Sequence, residues 1–264
     1  MVLWRLAAAR LGVSDIWARM AGLIKQARRG LRRKLGEAVH RATERSSPWV
    51  KRTFGPALCY AEMLVSDYGF IRLIYNNRHR ISQDAWRSAQ PAPHHISWAA
   101  RQGIKTVINL RNDQSFGTRW LEERACRRNG LRLVDLRLWS RSVPSRDELF
   151  AAKTVLETVR YPILIHCKSG ADRAGLMSAL YRIVHEQTSV EEAAKALSLK
   201  YGHIRQADTG VLDYLFERYL ADAATSPIPF WDWVETKYDA DEMNRTFKSA
   251  GWANRLVHGV LQRE

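Results

Sequence analysis

The residues best equipped for chemistry lie in ten consecutive positions, His166-Cys167-Lys168-Ser169-Gly170-Ala171-Asp172-Arg173-Ala174-Gly175. Cys167 stands near the start of this stretch and Arg173 near its end, and two glycines let the backbone turn. A loop that leads into a helix turns its N–H groups inward, beside the positive end of the helix dipole, and so cradles an anion. The field that binds an anion also lowers a thiol pKa, from about 8.5 to about 3.5–7.5 in sites of this type. A thiolate on the floor of a phosphate-sized nest, with a guanidinium fork for the equatorial oxygens, suits phosphoryl transfer through a phosphocysteine. The competing reading is a buried structural Cys with an incidental Arg.

Such a loop needs a frame. The apolar run Tyr161-Pro162-Ile163-Leu164-Ile165 suits a buried strand leading into it. Behind it Leu176, Ala179, Leu180, Ile183 and Val184 recur at helical spacing, so the order is strand, tight loop, helix. With His166, Gly170 and Gly175 placed around Cys167 and Arg173, the stretch resembles the signature loop of the cysteine-based protein tyrosine phosphatase superfamily. The dual-specificity branch of bacterial and fungal type fits best. Trp86-Arg87-Ser88-Ala89-Gln90-Pro91 is similar to the opening strand of that branch, and Ile108-Asn109-Leu110-Arg111 to a second strand ending. The resemblance implies Cys167 as nucleophile and Arg173 as clamp on the phosphoryl oxygens. It implies backbone N–H groups of Lys168, Ser169, Gly170, Ala171, Asp172 and Arg173 as the phosphate cradle, with His166 orienting the loop. It implies no metal and no organic cofactor.

Two departures from the family pattern stand out. Most members carry an Asp, the general acid, in a mobile loop after the strand that here ends at Leu138. This chain reads Trp139-Ser140-Arg141-Ser142-Val143-Pro144 there, without a carboxylate. Asp172 is the first candidate to replace it, because myotubularin-type and some bacterial phosphatases also carry Asp-Arg in the signature loop. Its alternative role is a carboxylate that braces the loop. Asp135 is the second candidate, with an alternative role as a strand Asp paired with Arg132 or Arg137. Water or the substrate is the third source of the proton. The other departure is Ala174, where the family has a Ser or Thr hydroxyl that helps the thiolate leave the phosphoenzyme.

The elements around the loop predict an α/β fold: a central, mostly parallel sheet flanked by helices, with helical N- and C-terminal extensions. A helix is expected over Pro93–Arg101, a strand over Ile104–Arg111, a helix over Thr118–Arg128 and a strand over Leu131–Leu138. Ser145 followed by Glu148 marks a capped helix start, running to Thr158. Ser189 starts a helix that ends near Lys200, and Val211–Leu220 is amphipathic. Phe70–Tyr75 reads as a first strand. The domain expectation is a basic extension over 1–52, a connecting segment over 53–80, a phosphatase domain over 81–222 and a Trp-rich extension over 223–264. The aromatics of that last part are read as a docked lid or packing element.

Composition adds a second theme. The net charge is +15, from 42 Lys and Arg against 27 Asp and Glu. Residues 1–52 hold 13 basic and 3 acidic residues, so the N-terminus carries +10 of it. Val13, Ile16, Trp17, Met20, Leu23, Ile24, Leu31 and Leu35 fall on one helical face of this region, with arginines and lysines around them. That is the composition of a helix lying on an anionic membrane surface, expected through residues 1–50. A helix packed on the domain, a transit peptide and a nucleic-acid tail are the alternatives, the last lacking any reader motif. Charged residues interrupt any signal-peptide core, and no apolar stretch is long enough to span a membrane. Three scattered cysteines argue for a reducing compartment. The expected place is the cytoplasm, peripheral on the cytoplasmic face of a membrane. The expected partner is a phosphorylated lipid, saccharolipid or phosphotyrosine protein, with a phosphate-binding pseudophosphatase as the alternative function.

Overall fold

Residues 26, 30–43, 45–47, 49, 53–67 and 69–248 are described by the computed structural model of this chain. Cα proximity divides it into two units, Met1–Phe70 with Gln114–Leu121, and Ile71–Asp113 with Glu122–Glu264. In the first, helix α1 covers 30–43 and α2 covers Gly55–Ser66. Val39, Cys59, Met63 and Leu121 make a small core. Gly117 has no alternative here, because a Cβ would sit 2.4 Å from the Cys59 carbonyl oxygen. Glu62, which interrupts the apolar pattern of α2, is buried and accepts the Gly117 N–H at 2.8 Å. The basic amphipathic stretch read over Val13–Leu35 lies mostly outside the described residues; its end forms the start of α1.

The segment Phe70–Tyr75 is helical, not a strand: α3 spans Gly69–Ile74. Five apolar residues around Arg72 cannot be told from a strand by pattern alone. Their exposure decides it, since Phe70 and Ile74 are both exposed and Arg72 between them is buried, a period of four rather than two.

In the second unit the chain runs β1 (His79–Arg80), β2 (Ala85–Ser88), α4 (Pro93–Arg101), β3 (Thr106–Asn109), α5 (Phe116–Arg128), β4 (Arg132–Asp135), α6 (Arg146–Thr158), β5 (Ile163–His166), α7 (Asp172–Val184) and α8 (Val190–Ala194). Two 3₁₀ turns precede α9 (Val211–Thr225) and α10 (Phe230–Thr236), and α11 covers 240–248. The sheet order is β1-β2-β5-β3-β4, with only the β1–β2 pair antiparallel. This is the expected α/β architecture.

Strand β5 is buried throughout and lies between β2 and β3, which places the end of His166 at the reversal of strand order. Alternation divides its side chains. Ile163 and Ile165 face Leu149 and Leu156 of α6 and Leu176 and Leu180 of α7. Leu164 faces Ile96 of α4, Val107 of β3 and Cys126 of α5. Capping is local and follows the pattern: Ser145 N–H donates to Glu148 Oε2 at 2.8 Å, and Glu148 N–H donates to Ser145 Oγ at 3.1 Å.

The helix expected from Ser189 to Lys200 stops at Ala194. Beyond it Lys195, Ala196 and Leu197 make i→i−3 bonds, and the Ala196 carbonyl goes instead to Arg87 Nη1 at 2.7 Å. The aromatic tail is a packing element: Phe230 and Trp233 are buried against Phe216 and Tyr219. It also holds the loop after β4. Tyr238 Oη donates to the Pro144 carbonyl at 2.5 Å, Arg146 donates to the Tyr238 carbonyl at 3.0 Å, and Val143 N–H donates to Asn244 Oδ1 at 3.0 Å. Trp252 lies outside the described residues.

Trp233 joins both roles, since its Nε1–H also donates to Asp222 at 2.7 Å. Trp233→Ala is expected to cost about 3–5 kcal/mol, the usual loss for a buried aromatic. Chemical denaturation at constant m-value measures it.

Candidate active site

Strand register builds one end of the site. Ser88, His166, Asn109 and Asp135 stand abreast at the carboxyl ends of β2, β5, β3 and β4. The chain leaves this row at Cys167, turns through Lys168–Ala171 and enters α7 at Asp172. Cys167 is buried, and Gly170 N–H donates toward its Sγ at 3.3 Å. Gly170 has φ +77°, and a Cβ there would lie 2.6 Å from the Ala89 nitrogen. Both the turn and its closeness to the end of β2 therefore demand glycine.

The loop carbonyls explain how the N–H groups come to face inward. Four successive carbonyls are tied by donors from elsewhere. Gln90 N–H reaches Lys168 O at 3.4 Å, and Asn77 Nδ2 reaches Ser169 O at 2.9 Å. Arg87 Nη2 reaches Gly170 O at 2.8 Å and Ala171 O at 2.7 Å. A peptide plane whose oxygen is held outward aims its N–H to the other side. The result is a nest of N–H groups at the positive end of α7, with Cys167 at its base.

Arg87 does most of this. It is 1% exposed, its guanidinium also binds Ala196 O, and its face lies 4.1 Å from the Tyr201 ring centroid. Burial pulls its pKa down to about 10, opposed by the charges of Cys167, Tyr201 and Asp172, so it stays charged at neutral pH. Asn77 is the second brace. Its Nδ2 also binds Tyr201 O at 2.9 Å, and its φ of +47° is a conformation Asn tolerates.

The residues singled out from the sequence are placed as follows. Arg173 extends from the first turn of α7, and its Nη1 donates to Leu110 O at the end of β3, at 3.2 Å. His166 is fully buried with its Nε2 2.7 Å from Glu122 Oε1. Asp172 is one residue from Arg173 and accepts from His203 Nδ1 at 2.8 Å, while His203 Nε2 meets Asp213 Oδ2 at 2.7 Å. Burial alone would lower the His203 pKa; hydrogen bonds to the two carboxylates, and their charges, outweigh it and raise the value to about 9. Asp135 closes the strand row and accepts from Asn109 Nδ2 at 2.9 Å. Its register is that of His166, so alternation sets it on the sheet face opposite to that of Ile165 and Cys167. Ala174 is buried, and its carbonyl accepts from Ser178 Oγ at 2.5 Å. Among the described residues no group of three His, Cys, Asp or Glu side chains is gathered to hold a metal ion.

Sequence reasoning missed Arg87, Asn77, Glu122 and His203. Arg87 had a signal: a charged side chain in the buried strand Ala85-Trp86-Arg87-Ser88 needs partners. His203 had none, since its partners lie on α7 and α9.

Two outcomes are expected. Arg87→Met slows both iodoacetamide alkylation of Cys167 and turnover by at least about tenfold, and Arg87→Lys restores neither, because an ammonium cannot copy the fork. The second concerns pH. A His whose folded pKa is raised stabilises the fold fully below its unfolded value of about 6.5, and that stability is lost as pH rises through about 9. His203→Gln should flatten this slope in melting curves taken across that window.

The chain is similar to several known proteins. Residues 73–211 match the family model PTP-NADK, described as a DSP-PTPase phosphatase fused to NAD+ kinase. The dual specificity protein phosphatase TpbA of Pseudomonas aeruginosa (strain UCBPP-PA14) is 31% identical over 121 residues, covering 44% of this chain and 52% of that protein. The chain thus spans about half the length of the curated relatives it matches. The crystal structure of P. aeruginosa TpbA superposes with a TM-score of 0.43 at 22% identity, over 56% of this chain and 91% of that one. PTPMT1 superposes with a TM-score of 0.42 at 24% identity, over 56% of this chain and 99% of that one. TpbA has been crystallised in complex with pTyr and PTPMT1 in complex with PI(5)P.

Proposed function

The chain belongs to the family of DSP-PTPase phosphatases fused to NAD+ kinase, which match more than half of it, and we propose that it hydrolyses a phosphate monoester through a phosphocysteine at Cys167. The observation that carries this reading is the set of four loop carbonyls held outward around a buried thiol. The Cys167 thiolate attacks phosphorus and the bond to the leaving oxygen breaks. Backbone N–H groups from Lys168 to Arg173 and the Arg173 guanidinium hold the phosphoryl oxygens as charge develops. His166, fixed by Glu122, orients the entry to the loop. Water then attacks the phosphocysteine, the S–P bond breaks and the thiolate returns.

The leaving oxygen needs a proton. We assign it to Asp172, which adjoins Arg173 and is kept in place by His203, ahead of Asp135, which lies on the sheet face opposite to Cys167. The loop after β4 has no carboxylate and is tied to the tail, which supports a donor from elsewhere. A general acid contributes about 10²–10⁴-fold. Asp172→Asn should lose that much on an aryl phosphate with a poor leaving group and much less on p-nitrophenyl phosphate, which needs no acid. An equal loss on both, matched by His203→Gln, would make Asp172 a brace. A loss under about tenfold on either substrate would move the role to Asp135 or solvent.

The substrate we favour is a lipid or saccharolipid phosphate at a membrane surface, ahead of phosphotyrosine in proteins. Lys168 adds charge to the cradle, residues 1–52 are strongly basic, and Leu31 and Leu35 are exposed one turn apart on α1 beside Arg32, Arg33 and Lys34. A cytoplasmic, membrane-peripheral location goes with this reading. Flotation with anionic liposomes should be lost when residues 1–50 are removed.

Ala174 favours a second reading, a weak or pseudo-phosphatase, since no hydroxyl follows Arg173. Rapid mixing with p-nitrophenyl phosphate should give a burst of about one product per site, followed by slow turnover that Ala174→Ser accelerates. Cys167→Ser should abolish both phases. Vanadate binding by a wild type that gives neither phase would favour the pseudophosphatase.

A further inference from the structure

Beside the cradle runs a groove of about 540 Å³ between the segment Leu73–Arg78 and one face of α4. His94, His95, Trp98 and Arg101 line one wall, and Asn76 and Arg78 the other. No Asp or Glu contributes to the lining. Arg78 lays its guanidinium on Trp98, 3.6 Å from the ring centroid, which fixes its plane and leaves its N–H edge open. Among the described residues neither Arg78 nor Arg101 has a carboxylate partner.

The histidines add oriented donors. His95 Nδ1 accepts the Ala92 N–H at 3.2 Å, so its Nε2 carries the hydrogen. Burial, then the charges of His94 and Arg78, pulls the His95 pKa down to about 4, so the ring is neutral and keeps this tautomer at ordinary pH. His94 lies beside it, with ring centroids 3.9 Å apart and planes tilted by 54°, at the positive end of a nine-residue helix.

The groove and the cradle share a wall. Asn76 O accepts the Ala89 N–H at 2.7 Å, and the next residue, Asn77, holds the Ser169 carbonyl of the loop. The Arg78 guanidinium held on Trp98, the exposed Arg101 and the His95 Nε2–H in one concave place, without an acid, match the acceptors of a phosphate.

We propose that this groove binds a second phosphate dianion while the first occupies the Cys167 loop, so that the site selects polyphosphorylated headgroups. The inference rests on the phosphatase reading for the first phosphate. The second phosphate is either tethered to the substrate or free, and the groove recognises the same chemistry in both.

Calorimetry on full-length Cys167→Ser protein tests it, using myo-inositol monophosphate, myo-inositol bisphosphate and inorganic phosphate as probes. The bisphosphate should bind at least about tenfold tighter than the monophosphate, and the double variant R78Q/R101Q should bring the two within about twofold. Arg101→Gln alone, at an exposed site, should remove part of the gain. A saturable inorganic-phosphate event on protein already filled with monophosphate, absent in R78Q/R101Q, would assign the groove to a free anion. The groove is refuted if the monophosphate binds and the second phosphate gives no gain by either route, or if the gain survives in R78Q/R101Q. Failure of both inositol phosphates to bind would remove the cradle reading and the groove with it.

Discussion

One buried guanidinium sets the geometry on which the rest of the site depends. Arg87 rises from the middle of the sheet into a place where an unpaired charge would be very costly. Its compensation consists of three carbonyl oxygens and the face of Tyr201. Two of those oxygens belong to the loop, so the demand of a buried cation for acceptors is what turns the loop inside out. The third belongs to Ala196, in the turn that follows α8. Gly175 fits the same constraint, since a Cβ there would lie 3.2 Å from Arg87 Nη2. The anion nest is therefore the outer half of a structure whose inner half is a buried cation and its ligands.

The sheet supplies the second condition. Parallel strands end together, and the β5 end between β2 and β3 puts the loop within reach of Asn77, Ala89 and Leu110 at once. Arg173 can bond Leu110 O only because β3 adjoins β5. The tail has a different effect. By binding Val143, Pro144 and Arg146, it holds the loop after β4. A fixed loop without a carboxylate is consistent with proton transfer from within the signature loop itself.

Two buried histidines of the second unit are held by carboxylates. His203 sits between two carboxylates and ties the start of α7 to α9. His166 and Glu122 form a buried pair behind β5. Arg78 and Arg101, by contrast, have no acidic neighbour in their groove.

Local order was legible in the chain alone. The strand, loop and helix around Cys167 follow from a short apolar run, two glycines and a 3.6-residue period. The Ser145–Glu148 box and the helix Pro93–Arg101 likewise depend on bonds spanning three or four residues. What the sequence could not determine were bonds between residues far apart in it. Arg87 and Gly170 are 83 positions apart, Asn77 and Tyr201 are 124, and Asp172 and His203 are 31. Which strand lies beside β5 decides the first, and the packing of α8 against both α7 and α9 decides the third. The same reason underlies the two misread segments. Gly69–Ile74 is too short for its period to show, and the helix after Ser189 gives way at Lys195 to i→i−3 turns, past which the Ala196 carbonyl meets a distant arginine. Periodicity and capping are properties of neighbours, whereas the partner of a buried charge is a property of the fold.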